Sequence, residues 1–191
     1  MLSKIAIFDF DKTLYKKDSM IEFCKFIYKK YPWRTFIILF QLFGLLAYLI
    51  RIISKKKFKE FFLLYIYGIK PEKLFEQLNY FWEKEFPVNF SKELIDKIAF
   101  HNKYDNETVC ISASPDLFIN LICLKIGIKK IIATKLEYRK YFYFIKGENC
   151  RGEEKISRLK KMYNLNQVQI IEAYSDNKDD KKLLSMANPK P

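Results

Sequence analysis

Two carboxylates lie two positions apart at the point where a short apolar segment ends. Asp9 and Asp11 follow the uninterrupted apolar run 5–8, which is typical of a central parallel strand covered on both faces. Ligands of open α/β sheets bind outside the carboxyl ends of the strands, so acids at this position are placed for chemistry. An acidic turn has the same local sequence, and this motif alone does not separate the two interpretations.

Polar residues follow two later strand-like segments in the same way. Ser112 comes after an apolar run that begins near Glu107, and Asp176 comes after the run 168–173, with further acids behind it. Small hydroxyl residues with free backbone N–H groups at the start of a helix form an anion site. An ordinary helix cap has the same composition, so both interpretations of Ser112 stay open.

If these three strands are parallel, the polar residues that follow them would lie at one edge of the sheet. Carboxylates that converge there repel one another unless a hard divalent cation lies between them, and a site with few carboxylates suits Mg²⁺. Such a cation indicates an anionic substrate, and phosphoryl transfer chiefly requires charge neutralisation and in-line positioning. Lys155, predicted in the first turn of a helix, opposes the helix dipole and is more easily explained if it binds an anion than as a solvated lysine.

The segment between the first predicted strand and the second is predicted to be helical. Residues 15 to about 100 show helical periodicity and no alternating strand pattern, with predicted caps at Asp18 and Ser91 and a first-turn proline at Pro71. Strand patterns return from Glu107 onward. We therefore predict an α/β core that is interrupted by a helical insertion.

One stretch of the insertion, residues 35–53, is apolar all round a helix, and such a helix must be hidden from water. A helix over 36–53 would be about 27 Å long, slightly short of the ~30 Å hydrocarbon core of a bilayer. Three interpretations stay open: a helix or hairpin in a membrane interface, a helix buried within the insertion or a dimer, and a true span. We favour the interface because basic residues stand on both sides, namely Lys29, Lys30, Arg34, Arg51, Lys55, Lys56 and Lys57.

The length and the charge of the chain indicate which classes of partner it favours. The chain has 191 residues, which suits one domain or a core with an insertion, and a formal net charge of +13 that favours anionic partners. Its lysines are scattered and no nucleic-acid module is recognisable, so we predict no nucleic-acid partner. The oligomeric state is not indicated.

The cysteines and the histidine exclude other chemistries. Cys24, Cys110, Cys123 and Cys150 lack paired CxxC spacing and are predicted to be buried reduced thiols, as in a cytoplasmic protein. His101 is the only histidine, which argues against a His-dependent triad or a His-rich metal site. No signal peptide is predicted.

Taken in order, the motifs resemble those of the haloacid dehalogenase-like phosphatase superfamily. The insertion resembles the first-type (C1) helical cap of that superfamily, and Cys150-x-Gly152-x-x-Lys155 resembles its phosphoserine-phosphatase-like subfamily (IB). The resemblance implies a Rossmann-like parallel sheet with helices on both faces, formed by residues 1–14 and 102–191, and an inserted all-helical cap formed by residues 15–101. The motifs that carry it are Asp9-Phe-Asp11-Lys-Thr13, Ser112, Lys155 and Asp176-Asn-Lys-Asp179-Asp180.

The resemblance also implies a role for each motif. Asp9 would be the nucleophile that forms an aspartyl-phosphate, and Asp11 would protonate the leaving oxygen and then deprotonate the attacking water. Ser112, the Ala113 backbone and Lys155 would bind the phosphoryl group, and Thr13 would order the nucleophile loop beside it.

Mg²⁺ is the cofactor that the resemblance implies. It would be held by the Asp9 carboxylate, the Asp11 backbone carbonyl, Asp176 and either Asp180 or Asp179. We prefer Asp180 because the last motif of the family separates its two acids by three residues.

Within the subfamily, the sequence is similar to the phosphatidylglycerophosphatase C family. The similarity lies in Asp18-Ser19, the Pro32-led apolar stretch and Tyr174-Ser175-Asp176. It implies a phosphorylated lipid headgroup as substrate and an enzyme that is peripheral on, or anchored in, the inner face of the cell membrane through residues 35–57. The alternative is a soluble phosphatase of a small metabolite such as phosphoserine.

Overall fold

A five-stranded sheet forms the centre of the computed structural model, which describes residues 3–187. Its order is β4-β3-β2-β1-β5, in which only the pairing of β4 with β3 is antiparallel. This mostly parallel sheet confirms the predicted α/β class; residues 1, 2 and 188–191 of the predicted core lie outside the described residues. The strands are β1 (Ser3–Phe8), β2 (Glu107–Pro115), β3 (Lys130–Arg139), β4 (Phe142–Lys146) and β5 (Val168–Tyr174).

Helices cover both faces of the sheet, and the alternation of side chains along β1 explains its continuous apolar sequence. Ala6 and Phe8 belong to one buried cluster, and Ile5 and Ile7 belong to a second cluster on the opposite face. The first cluster includes side chains of α1, α4, α5 and α6, and the second includes side chains of α7 and α8. The ranges are α1 (Ser19–Lys30), α4 (Pro71–Glu85), α5 (Lys92–Lys103), α6 (Asp116–Lys125), α7 (Glu153–Met162) and α8 (Lys181–Leu184).

The first and the last helix of the insertion each begin at a predicted cap residue. The Asp18 side chain accepts a hydrogen bond from the Ile21 N–H at the start of α1, and the Ser91 side chain accepts one from the Leu94 N–H at the start of α5. Pro71 is the first residue of α4. The division of the chain into a core and a cap stays a prediction.

The insertion shares one hydrophobic core with the sheet. Phe23 of α1 packs edge-to-face on Phe118 of α6 at a centroid distance of 5.2 Å. The Trp82 indole of α4 donates a hydrogen bond to the Phe118 carbonyl at 2.7 Å. Because all three residues are buried, the position of the insertion over the carboxyl edge of the sheet is fixed by packing as well as by its two chain connections.

The apolar stretch forms a helix that is shorter than the range 36–53. A 3₁₀ helix (Pro32–Phe36) precedes α2 (Ile37–Leu49), and α3 (Lys55–Phe62) follows. The chain reverses after α2 through Arg51, whose φ is +61°, and Ser54 then caps α3. A second 3₁₀ helix (Leu63–Ile66) follows α3 directly.

Helix α2 leaves most of its apolar side chains exposed. It buries Ile37, Gly44 and Ala47, and its 13 residues span about 20 Å. The segment Pro32–Leu49 is long and apolar enough to cross a membrane by length and composition, and 22% of it is buried. The exposed apolar residues of this region include Leu39 (70% exposed), Phe43 (64%), Leu46 (57%), Leu49 (66%) and Ile52 (72%).

One of the predicted flanking charges has a structural position instead. Arg34 is 9% exposed, and its guanidinium donates hydrogen bonds to the Tyr65 and Tyr67 carbonyls at 3.2 and 2.8 Å. These carbonyls lie at the end of the 3₁₀ helix after α3. Arg34 therefore holds the insertion together and does not contribute to a basic rim.

Helices α2 and α3 approach each other closely at Gly44. A Cβ atom added to Gly44 would lie 2.5 Å from Phe61 Cβ and 2.6 Å from Phe61 Cγ, so the close approach requires glycine. Beside it, Tyr48 stacks on Phe58 at a centroid distance of 5.1 Å.

Gly44→Ala should therefore destabilise the protein. Overpacking costs about 1–3 kcal/mol and the higher helix propensity of alanine returns at most about 1 kcal/mol, so we expect the free energy of unfolding to fall by about 1–2 kcal/mol in urea titrations. Leu46→Ala, on the exposed side of α2, is the control and should change it by less than about 0.5 kcal/mol. A Gly44→Ala protein more stable than the wild type would contradict this packing of α2 on α3.

Candidate active site

The strand register places three predicted site segments side by side. Phe8, the last residue of β1, pairs with Cys110 of β2 on one side and with Tyr174 of β5 on the other. Asp9 therefore emerges between Ser112 and Ser175, and its N–H donates a hydrogen bond to the Tyr174 carbonyl at 2.8 Å. The central strand thus delivers its first carboxylate into the crevice where ligands of open α/β sheets bind.

A buried ion cluster lies in this crevice. The Lys155 ammonium lies 3.0 Å from Asp9 Oδ2 and 2.6 Å from Asp180 Oδ2. The Ser175 hydroxyl lies 2.7 Å from Asp180 Oδ2 and 3.2 Å from Asp9 Oδ2, and it can donate its one proton to either oxygen. The Asp9 carboxylate is fixed further by the Phe10 N–H, which donates to Oδ1 at 2.8 Å.

Burial and charge act against each other in this cluster. Burial raises the pKa of the Asp9 carboxyl above its usual value, although the Lys155 ammonium opposes the shift. Burial also disfavours the charged form of Lys155, but Asp9 and Asp180 outweigh it and raise the pKa of the ammonium. Lys155 therefore holds two buried carboxylates close together that would otherwise repel each other.

Asp11 lies in a separate network that reaches the insertion. Its Oδ1 accepts a hydrogen bond from the Ser19 N–H at 2.8 Å, and its Oδ2 accepts one from the Ser114 hydroxyl. The Ser19 and Ser114 hydroxyls are 2.9 Å apart. Burial and the nearby charge of Asp18 raise the pKa of Asp11 to about 6, so this carboxyl can both give and take a proton near neutral pH.

The last motif separates its acids into different positions. Asp180 is buried and faces Lys155, whereas Asp179 pairs with Arg151 at 2.6 Å on the surface. Thr13 donates from its hydroxyl to Asp176 Oδ1 at 3.3 Å and accepts from the Asp176 N–H at 3.2 Å. The structure thus brings Asp180 and Asp9 to the same lysine and ties Asp176 to Thr13, whereas Asp179 is paired with Arg151.

We call the space in front of these groups the reaction cleft. Ser112 is buried beside it, and its hydroxyl oxygen accepts a hydrogen bond from the Ser114 N–H at 3.0 Å, which leaves the hydroxyl proton free to donate. Predicted site residues that line the reaction cleft are Asp9, Asp11, Ser112, Ala113, Lys155, Asp176 and Asp179, whereas Thr13 and Asp180 are not among its lining residues.

The oxygen donors of this site suit a hard divalent cation. Within residues 3–187, no three His, Cys, Asp or Glu side chains are grouped as the ligands of one metal. The Asp180 Oδ1 atom, however, is buried and has no hydrogen-bond partner in the described part of the chain, and a buried carboxylate oxygen without a partner is costly. Asp9, Asp180 and Asp176 are oxygen donors of the type that Mg²⁺ prefers, so these residues fit the predicted cofactor.

Sequence reasoning missed several residues that shape the site. Ser114 and Ser19 contact Asp11, and Ser175 contacts Asp9. Lys59 of α3 reaches the Ala113 carbonyl from the insertion. Ser114 lies 103 positions from Asp11, and Lys59 lies 54 positions from Ala113. No local sequence pattern signals contacts of such long range.

Comparisons with known proteins agree with this geometry. A family model described as haloacid dehalogenase-like hydrolase matches residues 6–185. Protein CicA of Caulobacter vibrioides is 25% identical over 189 residues, which cover 97% of this chain and 84% of that protein.

Solved structures share the fold. A protein with unknown function from Bordetella pertussis Tohama I has a TM-score of 0.80 at 20% identity, with 97% of this chain and 87% of that chain covered. A substrate-bound phosphoserine phosphatase complex has a TM-score of 0.65 at 14% identity, with 98% and 84% covered. A phosphoserine phosphohydrolase-like protein from Francisella tularensis subsp. tularensis SCHU S4 has a TM-score of 0.61 at 19% identity, with 97% and 82% covered.

Lys155→Met should destabilise the protein because it leaves two buried carboxylates without their cation. Removal of one partner of a buried ion cluster costs about 3–5 kcal/mol, and we expect a loss of this size in urea unfolding at pH 7 with a chelator present. Without the ammonium, the pKa of Asp9 in the folded state rises further above its unfolded value. The folded variant then binds more protons than the unfolded chain, so its free energy of unfolding falls as pH rises. Its deficit relative to the wild type should therefore be larger at pH 8 than at pH 5.

Lys160→Met is the matched control, because Lys160 lies on the exposed side of the same helix. It should change the free energy of unfolding by less than about 0.5 kcal/mol. A Lys155→Met protein that unfolds like this control at both pH values would show that Asp9 and Asp180 do not depend on the ammonium.

Proposed function

The chain belongs to the haloacid dehalogenase-like hydrolases, and we propose that it is a Mg²⁺-dependent phosphomonoester hydrolase that works through an aspartyl-phosphate on Asp9. The single observation that carries the proposal is the position of Asp9, at the end of the central strand and in contact with Lys155 and Ser175. A carboxylate fixed in this way is oriented toward the reaction cleft without rotational freedom.

Nucleophilic attack by Asp9 would break the phosphate ester. A carboxylate oxygen of Asp9 forms a bond to phosphorus while the bond from phosphorus to the leaving alkoxide breaks. Lys155 and the Ser112 hydroxyl are the side-chain donors beside Asp9 that can stabilise the equatorial phosphoryl oxygens. The backbone of Ala113 borders the same cleft.

Asp11 would move the proton in both half-reactions. In its protonated form it gives a proton to the leaving oxygen, and as a carboxylate it takes a proton from the water that attacks the aspartyl-phosphate. The hydrogen bonds from Ser19 and Ser114 hold this side chain toward the insertion, which is the side from which the leaving group would extend. Water then restores Asp9 and releases inorganic phosphate.

The divalent cation would be held by oxygen donors of this chain. We assign Asp9, Asp176 and Asp180 to it, together with the Asp11 backbone carbonyl that the family pattern implies. When bound, Mg²⁺ supplies positive charge next to the transferring phosphoryl group.

Asp9→Asn tests the nucleophile. Asparagine keeps the shape of the side chain but is a poor nucleophile, so we expect kcat for an aryl phosphate with Mg²⁺ to fall by at least about 10³-fold. Asp105→Asn is the matched control, because Asp105 is exposed and lies away from the cleft residues. If Asp9→Asn retains turnover within tenfold of Asp105→Asn, the nucleophile assignment fails.

For the substrate, we propose the phosphorylated headgroup of an anionic phospholipid, presented at the inner face of the cell membrane. The observation that supports it is the exposed apolar face of α2, because a contiguous apolar surface of this kind marks an interaction site. Helix α2 packs on α3, and Phe58 and Phe62 of α3 line the space beside Asp11. An apolar surface that rests in the lipid interface would thus lie one helix away from the reacting groups.

A double substitution tests this docking surface. Leu39→Ser with Phe43→Ser removes two apolar side chains from one helical face, each worth about 1.5–3 kcal/mol when buried. We therefore expect sedimentation with vesicles that contain phosphatidylglycerol to weaken by about tenfold or more. Phosphate release from phosphatidylglycerophosphate in mixed micelles should fall with it.

The matched control is Phe100→Ser with Leu124→Ser, which removes two apolar side chains of similar exposure from α5 and α6. Equal vesicle binding by the two double variants would contradict docking through α2. A wild-type preference for phosphoserine over the lipid in the same assay would instead support a soluble metabolite phosphatase.

A further inference from the structure

Lys59 brings a positive charge from the insertion into the space beside the reacting groups. Its ammonium donates hydrogen bonds to the Ala113 carbonyl at 2.5 Å and to Asn149 Oδ1 at 2.9 Å. Within residues 3–187, no carboxylate forms an ion pair with it. An ammonium has three donors, so one N–H remains for another acceptor.

The surroundings of Lys59 make an uncompensated charge costly. Burial lowers the pKa of the Lys59 ammonium to about 8, and the more distant carboxylates of Asp11 and Asp18 only partly oppose this shift. By contrast Lys155, which is buried beside Asp9, has two carboxylates in direct contact. Lys59 therefore differs from Lys155 in having no anionic partner in direct contact among the described residues.

Lys59 lines a second space, which we call the cap cleft, between α3 and the carboxyl edge of the sheet. The cap cleft adjoins the reaction cleft, because Asp11, Asp18, Ala113 and Arg151 line both. A group that leaves Asp9 on the side of Asp11 would therefore extend into it. Its other walls combine one cation and one amide with four apolar side chains. These residues are Lys55, Asn149, Met20, Ile21, Phe58 and Phe62.

From this arrangement we infer that Lys59 is a specificity-determining residue, whose ammonium binds a second anionic oxygen group of the substrate a few bonds from the phosphoryl group that is hydrolysed. The inference rests on the proposed phosphatase function, whose leaving group it describes. Both a phosphodiester of a lipid headgroup and a carboxylate of a small metabolite have this chemistry. Lys55 and Arg151, at the same cleft, add to the positive potential.

The substrate set that tests the inference differs only in the second anion. Glycerol phosphate has none, phosphoglycerate has a carboxylate, and glycerophosphoglycerol phosphate, the deacylated lipid headgroup, has a phosphodiester. The readout is the kcat/KM of each two-anion substrate divided by that of glycerol phosphate. A general loss of activity cancels in this ratio.

Lys59→Gln removes the charge but keeps N–H donors for the Ala113 carbonyl and Asn149. A hydrogen bond to a charged group is worth about 1.5–3 kcal/mol, so we expect the ratio for the bound class of substrate to fall by roughly 10- to 100-fold. Lys57→Gln is the control on the same helix, because Lys57 pairs with Glu60 outside the cap cleft, and it should leave the ratio within about twofold. The substrate whose ratio falls identifies the second anion as the diester or the carboxylate.

Unchanged ratios for both two-anion substrates in Lys59→Gln would overturn the inference. A wild-type enzyme that releases no phosphate from any of the three would instead count against the proposed function. In that case calorimetric binding of glycerophosphoglycerol phosphate still decides the role of Lys59. Weaker binding by Lys59→Gln than by Lys57→Gln supports it, and equal or absent binding by the wild type and both variants overturns it.

Discussion

The contact of one lysine with two buried carboxylates is the constraint on which the rest of the site depends. Asp9 and Asp180 come from opposite ends of the chain and lie within reach of the same ammonium. Without Lys155, desolvation and mutual repulsion would favour protonation of one of them. A protonated Asp9 would not act as a nucleophile, so in the proposed mechanism Lys155 both maintains the ionised state of Asp9 and binds the phosphoryl group.

This constraint explains why the parallel sheet, and not the insertion, carries the reacting groups. The register of β1 with β2 and β5 fixes Asp9 relative to Ser112 and Ser175 through backbone hydrogen bonds, and central strands are the least mobile part of such a fold. In the proposed function, the insertion instead supplies groups that would contact the leaving group of the substrate. Ser19 orients Asp11, and Lys59 reaches the Ala113 carbonyl.

The sequence predicts the sheet and its acids well because both are local signals. An apolar run followed by a carboxylate marks a strand end at Asp9, and the spacing within the last motif favours Asp180, the acid that the structure brings to Lys155. The roles of Lys59 and Arg34 could not be predicted, since each depends on a partner far along the chain. The same flanking lysines and arginines that appear as a uniform basic rim in the sequence divide into buried, paired and exposed groups once the chain is folded.

Helix α3 couples the apolar surface to the cleft. One side of it meets α2 at Gly44, where no larger residue fits, and another side presents Lys59 to the reacting groups. The hairpin of β3 and β4 braces it from the core, because Glu60 accepts the Ile145 N–H at 3.0 Å and Lys56 donates to the Gly147 carbonyl. A displacement of α2 on a membrane surface would therefore be transmitted through packed side chains to the position of Lys59. Under both proposals, the element that would rest in the lipid would also set the distance between the second anion of the substrate and a phosphoryl group bound at Asp9 and Lys155.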